Sequence, residues 1–357
     1  MNMYVDFHVL QTVPPSCINR DDTGSPKTAI YGGAVRARVS SQAWKHAMRT
    51  EFKNLFPEEE RASRTKFVVD MVVREMFALD STLDEADAVK KAAAALKEAG
   101  IGLDEKKNEA KALFFMSNQQ AKAVAAIALE GNLKDKAVKD TLKKALKENP
   151  SADIALFGRM VASDPSLNSD AAAQVAHAIS THAIQNEYDY FTAVDDLKAE
   201  DNAGAGHLGT VEFNSSTLYR YATVNVSELA KNLGIQSVPE VIRKFGQAFI
   251  CSMPTGKENT FANRTFPDAV YVTIRQDQPV NLCGAFEKPI CRSADGYAAA
   301  SETKLVEYAE TVYSRYAAEP VKAFGIGDRI GSIAETLTLP DLLAALEKMV
   351  CEHLAEV

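Results

Sequence analysis

An α+β fold is predicted by three features of this 357-residue chain. The opening residues alternate like a strand, with Met3, Val5, Phe7 and Val9 on one face and Tyr4, Asp6, His8 and Leu10 on the other. Amphipathic segments recur at helical spacing, as in SSQAWKHAMRTEFKNLF, where Ser40 or Ser41 caps and Trp44, Met48, Phe52 and Leu55 share a side. With insertions set aside, the elements run strand, helix, strand, strand, helix, strand, which is the ferredoxin-like or RRM-like order.

In chain order, a long polar loop (PPSCINRDDTGSPKTAIYGG) follows the first strand and leads to a short basic strand, AVRARV, before the helix from Ser40. Residues 57–172 are dominated by Ala- and Lys-rich helical patterns such as DEADAVKKAAAALKEAG and DKAVKDTLKKALKE, which read as an inserted helical subdomain with solvated charged faces. AAAQVAHAISTHAI reads as a further helix. EYDYFTAVDD and HLGTVEFNSSTLYRYATVNV read as the strands of a long protruding hairpin. The helix VPEVIRKFGQAFICSM and the strand DAVYVTIR complete the sheet pattern. The C-terminus is helical in ETKLVEYAETVYSRYAAE and, after Pro340, in DLLAALEKMVCEHL. The predicted parts are therefore 1–56, 57–172, 173–186, the hairpin 187–221 and 222–357.

Composition is that of a soluble protein, with 46% hydrophobic and 25% charged residues. No run approaches the roughly 18 apolar residues of a membrane span, and the N-terminus reads as a strand rather than a signal peptide. Five scattered cysteines without CxxC spacing suit a reducing cytoplasm better than a disulfide or zinc framework. A net charge of −8 leans against nucleic acid as a partner. Yet Thr23–Thr50 holds Lys27, Arg36, Arg38, Lys45 and Arg49 and no acid. Because salt confines each charge to about 10 Å, this island outweighs the global balance.

The phosphate-binding layout centres on RVSSQAWKHAMR. Gln42, Lys45 and Arg49 fall within about 60° on a helical wheel, while Ser40, Ser41 and Gln42 sit where free N–H groups and the helix dipole favour anions. Lys27, Arg36 and Arg38 extend it. GAGHLG (204–209) matches a dinucleotide-loop pattern, but a polar segment precedes it and a strand follows, so no cofactor site is expected. Aromatics Tyr188, Tyr190, Phe191, Phe213, Tyr219 and Tyr221 are core candidates where the hairpin overlies a sheet. Beyond the sheet they suit stacking on unpaired bases. His177 and His182 would lie about 140° apart on a helix, a poor metal pair. Asp21–Asp22 and Asp195–Asp196 are neighbours and form no ready two-metal site.

The segments FHVL, PSCINRDD, AIYGG, RVSSQAWKHAMR, DIALFGRM, AHAISTH, FTAVDDL, HLGTVEF and YRYATVNV, with AFEK at 285–288, closely resemble in order the CasC-type backbone subunits of type I-E Cascade, a CRISPR RNA-guided surveillance complex. The resemblance covers the first 55 residues and roughly 153–226; the helical insertion and C-terminal 70 residues match less well. It implies an RRM-like palm, helical fingers (57–172) and a β-hairpin thumb (187–221). It also implies a cytoplasmic, non-catalytic subunit without cofactor or metal, whose copies stack along a CRISPR guide RNA beside large, small and guide-end-binding subunits. Each thumb displaces one nucleotide at intervals, leaving the other bases to pair with target DNA. Carried over by motif, Lys27, Ser40, Gln42, Lys45 and Arg49 hold the RNA backbone, with Arg36, Arg38, Ser41 and Arg159 as further RNA-binding candidates. Met160 and Phe191 wedge against bases, and His207 and Leu208 lie on the returning thumb strand. Two departures stand out: His46 replaces a possible arginine, and the third strand lacks the RRM aromatic signature. A second implication comes from type III backbone subunits, which resemble this fold: a metal-dependent ribonuclease using Asp21 or Asp22.

Overall fold

The computed structural model describes residues 2–104, 106–148, 150–161, 163–193 and 207–356. The chain opens with β1 (Tyr4–Ser16), forms the hairpin β2 (Thr28–Tyr31) and β3 (Ala34–Val39), and enters α1 (Ser41–Leu55). Next come β4 (Ala62–Thr65), α2 (Val68–Leu79), α3 (Glu85–Glu98), β5 (Leu103–Asp104), β6 (Glu109–Ala110) and β7 (Phe114–Ser117). Then follow α4 (Asn118–Glu130), α5 (Lys136–Lys147) and α6 (Ala152–Phe157). Short strands β8 (Ala173–Val175) and β9 (Ala178–Ser180) precede the ribbon of β10 (Glu187–Ala193) and β11 (His207–Asn225). After it come α7 (Val226–Leu233), α8 (Val238–Cys251), α9 (Glu258–Phe261), β12 (Ala269–Arg275) and α10 (Ala298–Arg315). The chain closes with β13 (Lys322–Ile326), β14 (Glu335–Thr336) and α11 (Leu339–Ala355). It divides into two compact units. One comprises Met1–Met48, Val175–Thr223 and Phe245–Leu346; the other comprises Arg49–Gln174, Val224–Lys244 and Glu347–Val357.

The first unit is built on a sheet ordered β14-β13-β12-β1-β11-β9-β3-β2. Its central strands β12, β1, β11 and β9 stand in the order fourth, first, third, second, as a ferredoxin-like sheet requires, with α1 and α8 as the two helices. The alternation in β1 decides which side chain meets which layer. Phe7 packs on Phe245 and Phe249 of α8, with ring centroids 5.5 and 6.1 Å away. Gly246 makes this approach possible, because a Cβ there would lie 2.9 Å from the Phe7 ring. On the other face His8 packs among Tyr219, Tyr221 and Tyr271. These rings share a buried cluster with Phe286 and with Leu305 and Ala309 of α10. The sheet surface on which an RRM stacks bases is therefore core here, in keeping with the missing aromatic signature.

The structure departs from the sequence expectation most at one segment, and it also places a strand, β2, at the end of the stretch read as a polar loop. AAAQVAHAISTHAI is not a helix: it supplies β8 and β9, and β9 is the second palm strand, pairing with both β11 and β3. Its alanines favour a helix in isolation, but two strand edges flank it and claim its backbone groups. Tertiary context overrides such propensity.

The second unit contains the helices expected between residues 57 and 172. Val72, Met76, Leu96, Val124, Leu142 and Leu146 are fully buried in one core, each contributing about 1.5–3 kcal/mol of transfer free energy. Sequence periodicity missed two small antiparallel pairs here, β4 with β7 and β5 with β6. α4 starts at a capping box in which Ser117 and Gln120 satisfy each other's backbone N–H groups.

Candidate nucleic-acid interface

The N-terminus of α1 is organised by the polar loop before β2. Ser40 caps the helix, its Oγ accepting from the Ala43 N–H at 3.3 Å, while its own N–H donates to Asn19 Oδ1 at 2.9 Å. The Lys27 N–H donates to the Asn19 carbonyl, and the Arg38 N–H donates to the Lys27 carbonyl. Arg38 Nε donates to the Thr28 carbonyl at 3.1 Å and its NH1 group to His177 Nδ1 at 3.2 Å. Burial, then Arg38 and Lys27, hold the His177 imidazole below its ordinary range. The two cations thus converge on one neighbourhood, Lys27 from the loop before β2 and Arg38 from β3. A cleft of about 20 Å³ lies there, lined by Asn19, Lys27, Arg38, Asn214 and Ser216 among others. That volume admits about one water, so an anion would lie across this surface rather than within it. Gln42 is exposed beside the cap; Ser41 donates to Gln42 Oε1 at 3.4 Å. Lys45 is half-buried one turn on, and burial lowers its pKa.

Arg36 does not join this group. Two residues before Arg38 on β3, it is fully buried and donates to the carbonyls of Ser180 (2.8 Å), Phe286 (2.8 Å) and Glu287 (3.2 Å). It is a strut inside the palm, not a phosphate ligand, because it is buried and its NH1 and NH2 groups are spent on carbonyls that burial would otherwise orphan. Arg220, to which no sequence pattern points, does similar work. It lies 3.8 Å over the Trp44 ring of α1 and donates to Gln11 Oε1 (2.6 Å) and to the Phe249 carbonyl.

The second unit holds three further candidates. Arg49 stands 3.6 Å from Asp153 and 4.5 Å from the Phe115 ring centroid, so much of its charge is already answered. Arg159 is corrected outright. Buried, it donates to the carbonyls of Leu167, Phe115 and Leu146 and to Gln120 Oε1 at 2.6–3.1 Å, and burial lowers its pKa to about 10. Its neighbour Met160 is 86% exposed, an apolar side chain with no core to enter.

On the ribbon, Tyr188, Tyr190 and Phe191 are exposed, whereas Tyr219 and Tyr221 are buried further along β11. The core reading of the aromatics therefore holds for the latter two. His207 and Leu208 open β11 by backbone, but their side chains, like Gly204, Gly206 and the Asp195–Asp196 pair, lie outside the described residues.

Asp21 is engaged in a turn, accepting from Thr23 N–H (2.9 Å), Thr23 Oγ1 (2.7 Å) and Ser25 N–H (3.0 Å). The Thr23 hydroxyl is the main cause that holds its carboxyl below the usual range. Among the described residues, no group of three or more His, Cys, Asp or Glu is placed to hold a metal ion, and no helix is long and apolar enough to cross a membrane. Asn19 and His177 hydrogen-bond to these candidates although sequence does not single them out for the interface. Asn19 lies in the PSCINRDD motif, which offers a signal; the helical geometry expected around His177 gives none, because that helix does not form.

A ferredoxin-like sheet, a capped helix flanked by cations and an exposed aromatic ribbon together make up the candidate interface. The chain belongs to the CT1975-like protein family, whose model matches residues 5–346. It is similar to a chain from a solved pre-nicking CRISPR RNA-guided surveillance complex, with 32% identity, a TM-score of 0.86, and 97% of this chain and 100% of that one covered. A chain from another CRISPR RNA-guided surveillance complex has 28% identity and a TM-score of 0.64, covering 97% and 99%. No curated protein matches the chain.

Proposed function

We propose that this chain is a non-catalytic, CRISPR RNA-binding backbone subunit of a type I-E Cascade of the CasC type, stacking in copies along the guide in the cytoplasm. The observation that carries the reading is its full-length similarity to a chain of a CRISPR RNA-guided surveillance complex. The local chemistry supports it. Lys27, Arg38, Ser40, Gln42 and Lys45 offer cations and helix N–H groups to a ribose-phosphate strand, contacts that fix position without reading sequence. The exposed Phe191 and Met160 offer apolar surfaces to unstacked bases. Sequence specificity is left to guide–target pairing, as in other RNA-guided effectors. Repetition of the subunit turns modest contacts into avidity, which suits a chain whose overall charge is −8.

Co-expression with guide RNA and the other complex subunits, followed by purification and imaging, tests the reading. The expected product is an RNA-containing filament with repeated copies of this chain. Protein that emerges bare of RNA and unassembled refutes the proposal. Incubation of the complex with complementary RNA and Mg²⁺ addresses the alternative: cleavage abolished by Asp22→Ala would make the subunit a ribonuclease.

A further inference from the structure

We propose that Gly209 is a positioning residue: it seats the Phe191 ring across the ribbon and so sets the plane on which an RNA base stacks. The inference deepens the guide-RNA reading and rests on it. Phe191 stands directly opposite Gly209 in the antiparallel pairing of β10 with β11. A Cβ built on Gly209 would lie 2.3 Å from Phe191 Cζ, 2.6 Å from Cε1 and 3.0 Å from Cε2. These are the outer atoms of the ring, so the ring reaches across the strand gap and covers the glycine backbone. Carbon atoms pack at about 3.5–4.0 Å, so a side chain at 209 and the ring in this position exclude each other.

The requirement is one of space. Gly209 has no left-handed φ, and an alanine would meet no backbone strain there. A glycine inside a strand otherwise weakens it, and an aromatic laid over the glycine restores the missing packing. The neighbouring aromatics lack this arrangement: Tyr190 faces Thr210 and Tyr188 faces Glu212. Phe191 also retains 41% exposure, against 65% and 68% for the two tyrosines, so it is partly held yet still open to a flat ligand. A ring pinned on one side spends less conformational freedom on binding than one that swings in water.

The test is 2′-hydroxyl acylation along the guide RNA in the assembled complex, read as the contrast between periodic distorted nucleotides and their neighbours. Phe191→Ala should reduce that contrast about fivefold or more. Gly209→Ala should reduce it to a similar level, and the double variant no further. Wild-type contrast in Gly209→Ala beside a loss in Phe191→Ala overturns the inference while leaving the stacking reading intact. A further loss when Gly209→Ala is added to Phe191→Ala also overturns it, since glycine would then act other than through the ring. Undiminished contrast in Phe191→Ala defeats the stacking reading itself, and the role of Gly209 with it. A measurement without RNA serves if assembly fails. The single native tryptophan, Trp44, is fully buried, so the difference emission spectrum of Phe191→Trp against the native protein reports on position 191. Adding Gly209→Ala should shift that emission to the red; an unchanged spectrum counts against the seat.

Discussion

Strand β3 in the palm and the turn after α6 in the helical unit each place an arginine that sequence marks as a phosphate ligand next to a residue with the opposite fate. On β3, Arg36 is buried on three carbonyls, whereas Arg38 is half-exposed beside His177. In the turn, Arg159 is buried on three carbonyls and an amide oxygen, whereas Met160 is 86% exposed. In both places one arginine goes inward, its planar fork satisfying several carbonyl groups at once, while on β3 the second arginine stays half-exposed. In the turn the apolar neighbour is the one left outside. A count of positive charge therefore overstates this interface. What distinguishes the candidates is which cations stay at the surface.

That contrast breaks most sharply at the struts. Arg159→Met should destabilise the protein by about 3 kcal/mol, because four buried acceptors each lose the arginine's hydrogen bond, and the Leu167 and Phe115 carbonyls lose the side-chain donor shown for them. Arg36→Ala should cost about 2–3 kcal/mol on the same grounds. Chemical denaturation measures both. If Arg36 were a phosphate ligand instead, its removal would flatten the salt dependence of RNA retention while leaving stability intact.

Lys27→Ala with Arg38→Ala should do the reverse. Stability should hold within about 0.5–1 kcal/mol. The slope of log affinity against log salt should flatten by about 0.7 for each single-strand phosphate that is no longer neutralised. An unchanged slope would remove these cations from the interface.

The buried face of β1 yields a pH prediction. Burial holds His8 down to about 3, against an ordinary value of 6.5, so the unfolded chain takes up its proton first and stability is lost as pH falls through that window. Burial likewise pushes Asp6 up to about 6 from 3.8, so its contribution runs the other way, present at low pH and lost as pH rises toward 6. Across about pH 3.8–6 the two slopes oppose and nearly cancel. The pair therefore leaves a net loss on acidification only as pH falls from about 6.5 to 6 and again from about 3.8 to 3. His8→Phe should make that decline shallower in denaturation curves taken between neutral and acidic pH. The smallest effect is expected for Met160→Ala: no change in stability beyond about 0.5 kcal/mol, with any consequence confined to the distorted guide nucleotides.

Much of this protein was legible in its sequence because local patterns carried it. The alternation of β1, the cap and apolar stripe of α1, the strand character of β12 and the helical run from 57 to 172 all followed from period and capping, which depend on near neighbours. The acid-free window nominated Lys27, Arg38, Ser40, Gln42 and Lys45 as candidates for the same reason. What only tertiary structure decided depends on partners distant in the chain. β9 is a strand because β3 and β11 flank it, more than a hundred residues before it and some forty after. Arg36 turns inward because Phe286 and Glu287 present carbonyls from 250 and 251 residues away. Gly209 matters because the pairing register sets Phe191 opposite it. Propensity and charge are properties of a residue and its neighbours along the chain, whereas burial and register belong to pairs that meet only once the chain has folded.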